Sequence, residues 1–272
     1  MLPFDSHVHT YYSPCARGVD QSTNPVASPQ RYFQRAEEIG LRAMIFTDHF
    51  VEDPTLPGLV LFYKSSGKAI LRDLRLELER LSDTQVCDVF IGCETETLST
   101  EWVGVSEATA RELDFVLVPT THYHLPGVPQ PASMAPRDVA AHMLLMLESV
   151  VQKPWLDSVA HPFSEPETVI GDLRAIYDAM DKARLRDVLG LAARNGVALE
   201  VNGSSLTAPN YAAIYREIVA LAKSLGVRFT YGSDAHDSAN LGMTQAAEAW
   251  IADSGLTPED FLTPQMLRAK RG

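Results

Sequence analysis

The sequence predicts one α/β domain over residues 1–272, a distorted TIM-like (β/α)7 barrel. Short apolar strands alternate with longer amphipathic helices along the chain, the pattern of parallel strands joined by right-handed crossovers. No linker or internal repeat divides the sequence. A doubly wound sheet is the competing architecture. Polar residues follow almost every predicted strand. This favours a barrel over a doubly wound sheet, because the residues that follow every strand of a parallel barrel lie at the same end of it.

Each element has a local signal. Hydrophobic runs predict seven strands, at residues 4–8, 43–47, 86–93, 115–119, 156–160, 197–201 and 227–231. The first helix begins after Ser28-Pro29, an N-cap followed by proline, and ends at Gly40. Further helices are predicted at residues 69–81, 107–113, 173–193, 211–225 and 241–252. Ser106 caps the second of these, and the third contains a break. Another helix follows the proline-rich loop after the fourth strand and ends at about residue 151.

Composition narrows the classes of function. The hydrophobic content of 46% is enough for a large core, and the net charge of −12 disfavours an extended nucleic-acid or anionic membrane surface. No apolar run could span a bilayer, and the first residues do not resemble a signal peptide. The odd, small set of cysteines (Cys15, Cys87 and Cys93) indicates reduced thiols rather than a disulfide framework. We therefore expect a cytoplasmic protein without a membrane partner.

Two histidines one residue apart end the first strand. Side chains at i and i+2 leave a strand on the same face, so His7 and His9 aim two imidazoles at one point, the start of a transition-metal site. Further polar or titratable residues end the other strands: Asp48, His49, Glu94, Glu96, His122, His124, His161, Glu200, Asn202, Asp234 and His236. Seven of the eight histidines of the chain lie at such ends.

Each of these residues also has an ordinary structural explanation. Asp48 and Glu94, for example, could cap the helices that follow them. Because many independent matches share one structural context, the set as a whole favours a metal site. His142 lies in the middle of a predicted helix and is interpreted as structural, and Cys87 and Cys93 as small core residues.

The residues in this order resemble the PHP superfamily, named for polymerase and histidinol phosphatase. The resemblance covers residues 5–236 and rests on Asp5-Ser6-His7-Val8-His9-Thr10, Thr47-Asp48-His49, Glu94, His122, His161-Pro162 and Asp234-Ala235-His236. Members of that family resemble a distorted barrel of seven strand–helix units. They hold two or three metals at its C-terminal mouth and hydrolyse phosphate esters.

The resemblance implies a set of ligands. One metal would take His7, His9, Glu94 and Asp234, and Glu94 would bridge to a second metal completed by His122 and His161. A third would take His49 and His236 with one ligand from the first loop. Family members commonly have Asp or His at that position, and this chain has Cys15. A thiolate would favour a zinc-like metal, but Cys15 could equally be a free thiol beside a weak or empty third site.

The resemblance also implies the reaction. Two or three divalent ions (zinc, manganese or iron) would lower the pKa of a bridging water and so supply hydroxide. The hydroxide would attack phosphorus, and the ions would neutralise the negative charge that develops on the phosphate oxygens. Catalytic roles would fall to Glu94, Asp48 and His236, with Asp48 or a metal-bound water as the acid for the leaving alcohol. Candidates for substrate binding are Arg17, Lys64, Lys68, His124 and Asn202, and more weakly Arg137.

The leading functional hypothesis is a phosphomonoesterase acting on a small phosphorylated metabolite, such as histidinol phosphate or a nucleotide. A phosphodiesterase or nuclease acting on short nucleic-acid ends or dinucleotides is the alternative enzyme. A metal-binding regulatory barrel without turnover is the alternative of another class. An amidohydrolase-like barrel is disfavoured, because no lysine suited to bridging metals ends a strand. Substrate, metal identity and oligomeric state stay open.

Overall fold

The computed structural model describes residues 2–16, 25–55, 66–125 and 127–270. Its centre is one sheet of seven strands in chain order. The strands are β1 (Phe4–Val8), β2 (Ala43–Phe46), β3 (Asp88–Glu94), β4 (Phe115–Pro119), β5 (Ser158–Ala160), β6 (Ala198–Asn202) and β7 (Phe229–Gly232).

All neighbouring strands pair in parallel. The sheet closes between its first and last strands, just beyond β7. There the Asp234 N–H donates to the His7 carbonyl at 2.9 Å, and the His9 N–H donates to the Ala235 carbonyl at 2.9 Å. The predicted seven-stranded α/β barrel is confirmed.

Helices surround the barrel. In the described part of the chain they are α1 (Pro29–Ile39), α2 (Lys68–Arg80), α3 (Glu107–Ala110), α4 (Pro136–Val151), α5 (Glu167–Ile170), α6 (Leu173–Ala179), α7 (Lys182–Asn195), α8 (Pro209–Ser224), α9 (Gln245–Asp253) and α10 (Pro264–Ala269). The largest apolar cluster of the core packs the barrel against most of these helices. No helix in the described ranges is long and apolar enough to cross a membrane.

Differences from the predicted elements are local. The break expected within residues 173–193 falls after Ala179, because Asp181 caps α7 by accepting from the N–H groups of Ala183 and Arg184. The last predicted helix begins later than expected, at Gln245, because the Thr244 side chain caps it. The short helices α5 and α10 were not predicted, since neither has a long amphipathic run.

One tyrosine couples α1 to the end of the barrel where the strands finish. Tyr32 is fully buried. Its hydroxyl donates to the carbonyl of His9 at 2.8 Å and lies 3.0 Å from the carbonyl of Ala235. The predicted helix thus supports the two segments that close the barrel and carry candidate ligands.

Candidate metal centre

The first group of ligands lies at the ends of β1, β3 and β7. Nε2 of His7 and Nε2 of His9 are 2.9 Å apart. Oε2 of Glu94 lies 3.4 Å and 3.3 Å from these two atoms, and Oδ1 of Asp234 lies 3.5 Å and 3.4 Å from them. Two imidazoles and two carboxylates therefore converge on one point, and they are the set that the family resemblance implies for the first metal.

The second group shares Glu94 with the first. Oε1 of Glu94 lies 3.1 Å from Nε2 of His161. The ring of His161 stacks on that of His122 with centroids 5.0 Å apart, and the ligand atoms of these three residues all lie within 4.8 Å of one another. Because Glu94 turns one oxygen to each group, its carboxylate is placed to bridge them.

A third group lies on the other side of His9. The ligand atoms of His9, Cys15 and His49 lie within 4.8 Å of one another, and so do those of His9, Asp234 and His236. The ring centroids of His49 and His236 lie 4.7 Å and 4.5 Å from that of His9. The structure thus brings together every residue predicted as a ligand.

Three further carboxylates hold the histidines in place. Glu200 contacts Nδ1 of His7 at 2.7 Å, Glu96 contacts Nδ1 of His122 at 2.8 Å, and Glu165 contacts Nδ1 of His124 at 2.8 Å. Carboxylates that fix the far nitrogen of a ligand are usual at metal sites. The sequence placed Glu96 and Glu200 at strand ends without a role, and Glu165 gave no signal.

These contacts decide which nitrogen carries the proton. An ionised carboxylate can only accept, so Nδ1 of His7 and of His122 must donate, and Nε2 of a neutral ring presents a lone pair. The Nε2 lone pair of His7 then faces Nε2 of His9 at 2.9 Å. The buried Nδ1 of His9 has no nitrogen or oxygen partner among the described residues. Without metal this contact is satisfied by a proton on Nε2 of His9, and a bound metal would take the place of that proton, so the donor set fits bound metal.

The electrostatics of the cluster lead to the same conclusion. Burial lowers the pKa of His7, but the charges of Glu200, Asp234 and Glu94 outweigh it and raise that pKa well above its ordinary value. Burial likewise raises the pKa of Glu94, but the facing His49 and His7 hold it well below its usual range. Without metal, protons on the histidines must balance the buried carboxylates, and metal would replace those protons.

Two buried aspartates fix the backbone around the cluster. Asp5 accepts from the N–H groups of Ser233 and Gly242, each at 2.9 Å, and burial raises its pKa. Asp48 accepts from the N–H of Thr10 at 2.7 Å and its hydroxyl at 2.6 Å, and burial raises its pKa to about 7. Because both oxygens of the fully buried Asp48 are engaged, the geometry favours an anchoring role over the general-acid role predicted for it.

Backbone strain is concentrated in the same place. His161 has φ 26° and Asp234 has φ 59°, in the left-handed region that non-glycine residues seldom occupy. Such conformations cost on the order of 1–3 kcal/mol each and persist only where the surroundings enforce them. Here the enforcing contacts are the His161 N–H bonded to Glu200 at 2.6 Å and the Asp234 N–H bonded to the His7 carbonyl at 2.9 Å.

Several of the residues predicted to bind substrate do not lie at the ligand cluster. Arg17 and Lys64 lie outside the described residues. Lys68 opens α2 with 68% of its side chain exposed and its Nζ 4.0 Å from Glu52, so it is a solvated surface charge rather than part of the cluster. Arg137, in the first turn of α4, is also exposed.

Two other predicted substrate residues lie at the cluster. His124 is half-exposed beside His122, with ring centroids 5.2 Å apart. The Asn202 amide donates to Glu200 at 3.1 Å and to Asp234 at 3.4 Å. Its side-chain carbonyl accepts from the Ser205 N–H, so Asn202 organises the ligands and is not free for substrate. His142 lies outside the cluster, 3.0 Å from the Tyr123 hydroxyl.

A cavity of about 340 Å³ opens beside Asp234. Its lining includes Arg35 of α1 and the polar residues Ser204, Thr207 and Asn240. Arg35 pairs with Glu38 through Nη1 at 2.9 Å, and its buried Nε has no hydrogen-bond partner within the described ranges. The sequence could not indicate this cavity, because it forms where α1 meets the loops after β6 and β7.

The comparisons with known proteins agree with this architecture. No protein-family model matches the sequence. A probable phosphatase of Vibrio parahaemolyticus is 26% identical over 260 residues, covering 92% of this chain and 90% of that protein. A probable phosphatase of Vibrio cholerae is 27% identical over 266 residues, covering 96% and 89%. The fold resembles that of histidinol phosphate phosphatase from Lactococcus lactis, solved with zinc, L-histidinol and phosphate, with a TM-score of 0.61 and 17% identity over 93% of this chain and 94% of that one.

Proposed function

We propose that this protein is a metal-dependent phosphatase that releases inorganic phosphate from a small phosphorylated metabolite. The observation that carries the proposal is Glu94, whose two oxygens face two separate groups of imidazoles at the mouth of the barrel. Relatives named as probable phosphatases, alike over more than nine-tenths of the chain, support the same class of reaction.

Two metals would be held by residues already in place. His7, His9, Glu94 and Asp234 would hold the first, and Glu94, His122 and His161 the second. When bound, a pair of divalent ions supplies an activated water and neutralises charge on the phosphoryl oxygens. Glu200 and Glu96 keep the Nδ1 protons of His7 and His122 in place, so that each Nε2 stays available.

The organic part of the substrate needs its own contacts. The cavity beside Asp234 is adjacent to the first ligand group and is of small-metabolite size. Arg35, which pairs with Glu38 through Nη1, brings a positive charge to the lining, and Ser204, Thr207 and Asn240 bring neutral polar groups. This lining suits a hydroxylated substrate with a second anionic group, such as a carboxylate. His124, exposed beside His122, is the other residue placed to touch substrate.

A phosphate-release screen tests the proposal. The protein is stripped with a chelator, reconstituted with zinc, manganese or ferrous iron, and assayed on sugar phosphates, amino-alcohol phosphates including histidinol phosphate, nucleotides and phosphodiesters. Release of phosphate from a monoester, dependent on added metal, is the expected result. Faster cleavage of diesters would favour the nuclease alternative. Failure on every ester with every metal would overturn the proposal.

A further inference from the structure

We propose that Cys15 is a metal ligand and that its thiolate, together with His49 and His236, forms a site for a zinc-like ion beside the group bridged by Glu94. The residues that carry this inference come from three separate segments: the loop after β1, the end of β2 and the loop after β7. The site would exist whether or not the protein hydrolyses phosphate esters.

The thiol lies among imidazoles. The ligand atoms of Cys15, His9 and His49 are within 4.8 Å of one another, and the ring centroid of His236 lies 4.5 Å from that of His9. Nδ1 of His236 lies 2.9 Å from the Asp234 carbonyl. A carbonyl only accepts, so this nitrogen carries the proton and Nε2 of His236 presents its lone pair.

The loop that carries Cys15 is held against the barrel. Cys15 sits in a short 3-10 turn, Pro14–Ala16. The hydroxyl oxygen of Ser13 accepts from the His49 N–H at 3.2 Å and lies 3.2 Å from the Cys15 sulfur. Ser13 thus connects the turn directly to the residue that follows β2, and fixes the distance between the thiol and His49.

The same loop is also anchored to α2. The hydroxyls of Tyr11 and Tyr12 both donate to one oxygen of Glu77, at 2.5 Å and 2.7 Å. Their rings stack with centroids 4.6 Å apart. With contacts to both β2 and α2, the position of Cys15 is set by packing and does not depend on metal to bring it near the histidines.

The donor set determines the class of metal. One thiolate and two imidazoles suit zinc and cobalt, whereas manganese and magnesium prefer oxygen ligands. The two groups that share Glu94 include carboxylates and would accept harder ions. Binding at Cys15 replaces the thiol proton, which is released to solvent. The third site would therefore fill with zinc or cobalt under conditions in which manganese fills only the other two.

Cobalt spectroscopy tests the inference without any assay of activity. Chelated protein is titrated with Co²⁺ and the near-ultraviolet thiolate-to-cobalt charge-transfer band is recorded, alongside metal content by mass spectrometry. Wild type and Cys87→Ser should show the band, since Cys87 precedes β3 and so lies at the opposite end of that strand from Glu94. Cys15→Ser should lose the band and bind about one ion fewer per chain. Cys15→His should regain that ion without the band. A band that persists in Cys15→Ser, or is absent from fully loaded wild type, would overturn the assignment.

Alkylation provides a second, independent readout. Cys15 is exposed and Cys93 is buried, so iodoacetamide followed by peptide mass spectrometry reports on Cys15 with Cys93 as internal control. Zinc should slow alkylation of Cys15 at least about tenfold, manganese should not, and chelation should restore the rate. Equal rates with and without zinc would show that the thiol is a bystander.

Discussion

Nδ1 of His7 lies 2.7 Å from Oε1 of Glu200, although 193 residues separate the two along the chain. The other oxygen of Glu200 accepts from the His161 N–H at 2.6 Å. One buried carboxylate therefore sets the ring orientation of a ligand in the first group and the backbone of a ligand in the second. Glu200 therefore fixes the position of the first ligand group relative to the second.

Glu200→Gln should weaken metal binding while leaving the barrel folded. A carboxamide offers one acceptor where the carboxylate offers two, so His7 or the His161 N–H loses its partner. Loss of such an orienting carboxylate typically lowers metal affinity by about 10–100-fold. Competition with a chelating dye measures the affinity, and Glu79→Gln on the exposed side of α2 is the matched control. An unchanged affinity in Glu200→Gln would remove this role.

Much of the fold could be predicted from the sequence because it follows from local signals, whereas the grouping of the ligands rested on the family resemblance. Strand periodicity and helix caps predicted the elements, the polar residues at the strand ends favoured a barrel, and the spacing of His7 and His9 predicted that these two side chains share a face. The orienting carboxylates could not be assigned in this way. Glu165 meets His124 only because the loops after β4 and β5 fold together, and Asp5 reaches Gly242 across the closure of the barrel.

Asp5→Ala should destabilise the protein strongly. Asp5 is fully buried and accepts from the N–H groups of His7, Ser233 and Gly242. Leaving a buried donor unsatisfied costs about 1–3 kcal/mol, so we expect the free energy of unfolding to fall by about 3 kcal/mol or more in urea titrations. The exposed Asp83→Ala should change it by less than about 0.5 kcal/mol. A loss below about 1 kcal/mol in Asp5→Ala would contradict this account of the barrel closure.

Metal-free protein should lose thermal stability as the pH rises, whereas metal-loaded protein should not. The neighbouring carboxylates raise the pKa of His7 in the folded, metal-free chain well above its ordinary value of about 6.5. The stabilisation this gives is complete below the unfolded pKa and is lost as pH rises through the folded one. Thermal unfolding of chelated protein should therefore show a falling Tm from about pH 7 upward. Zinc-loaded protein should not, because metal binds the deprotonated ligands. A flat Tm for the chelated protein would contradict the proposed charge balance.

Arg35→Gln should weaken substrate binding more than turnover. If Arg35, which lines the cavity beside Asp234, binds an anionic group of the substrate, its loss removes a charge-assisted hydrogen bond worth about 1.5–3 kcal/mol. KM for the best substrate of the screen should rise about tenfold or more, with kcat little changed. Arg31→Gln, one helical turn earlier, is the control. Equal KM values for wild type and Arg35→Gln would exclude this cavity as the substrate site.

Glu94 is proposed to bridge the metals of a hydrolytic centre, and the rate of phosphate release by Glu94→Gln is the decisive measurement of that role. The variant removes a bridging charge and not the fold, which circular dichroism checks. His142→Gln serves as control because His142 contacts Tyr123 outside the cluster. With metal supplied in excess, Glu94→Gln should show no measurable turnover on an ester that wild type and His142→Gln hydrolyse at similar rates. A folded Glu94→Gln protein with near-normal kcat would contradict the assignment.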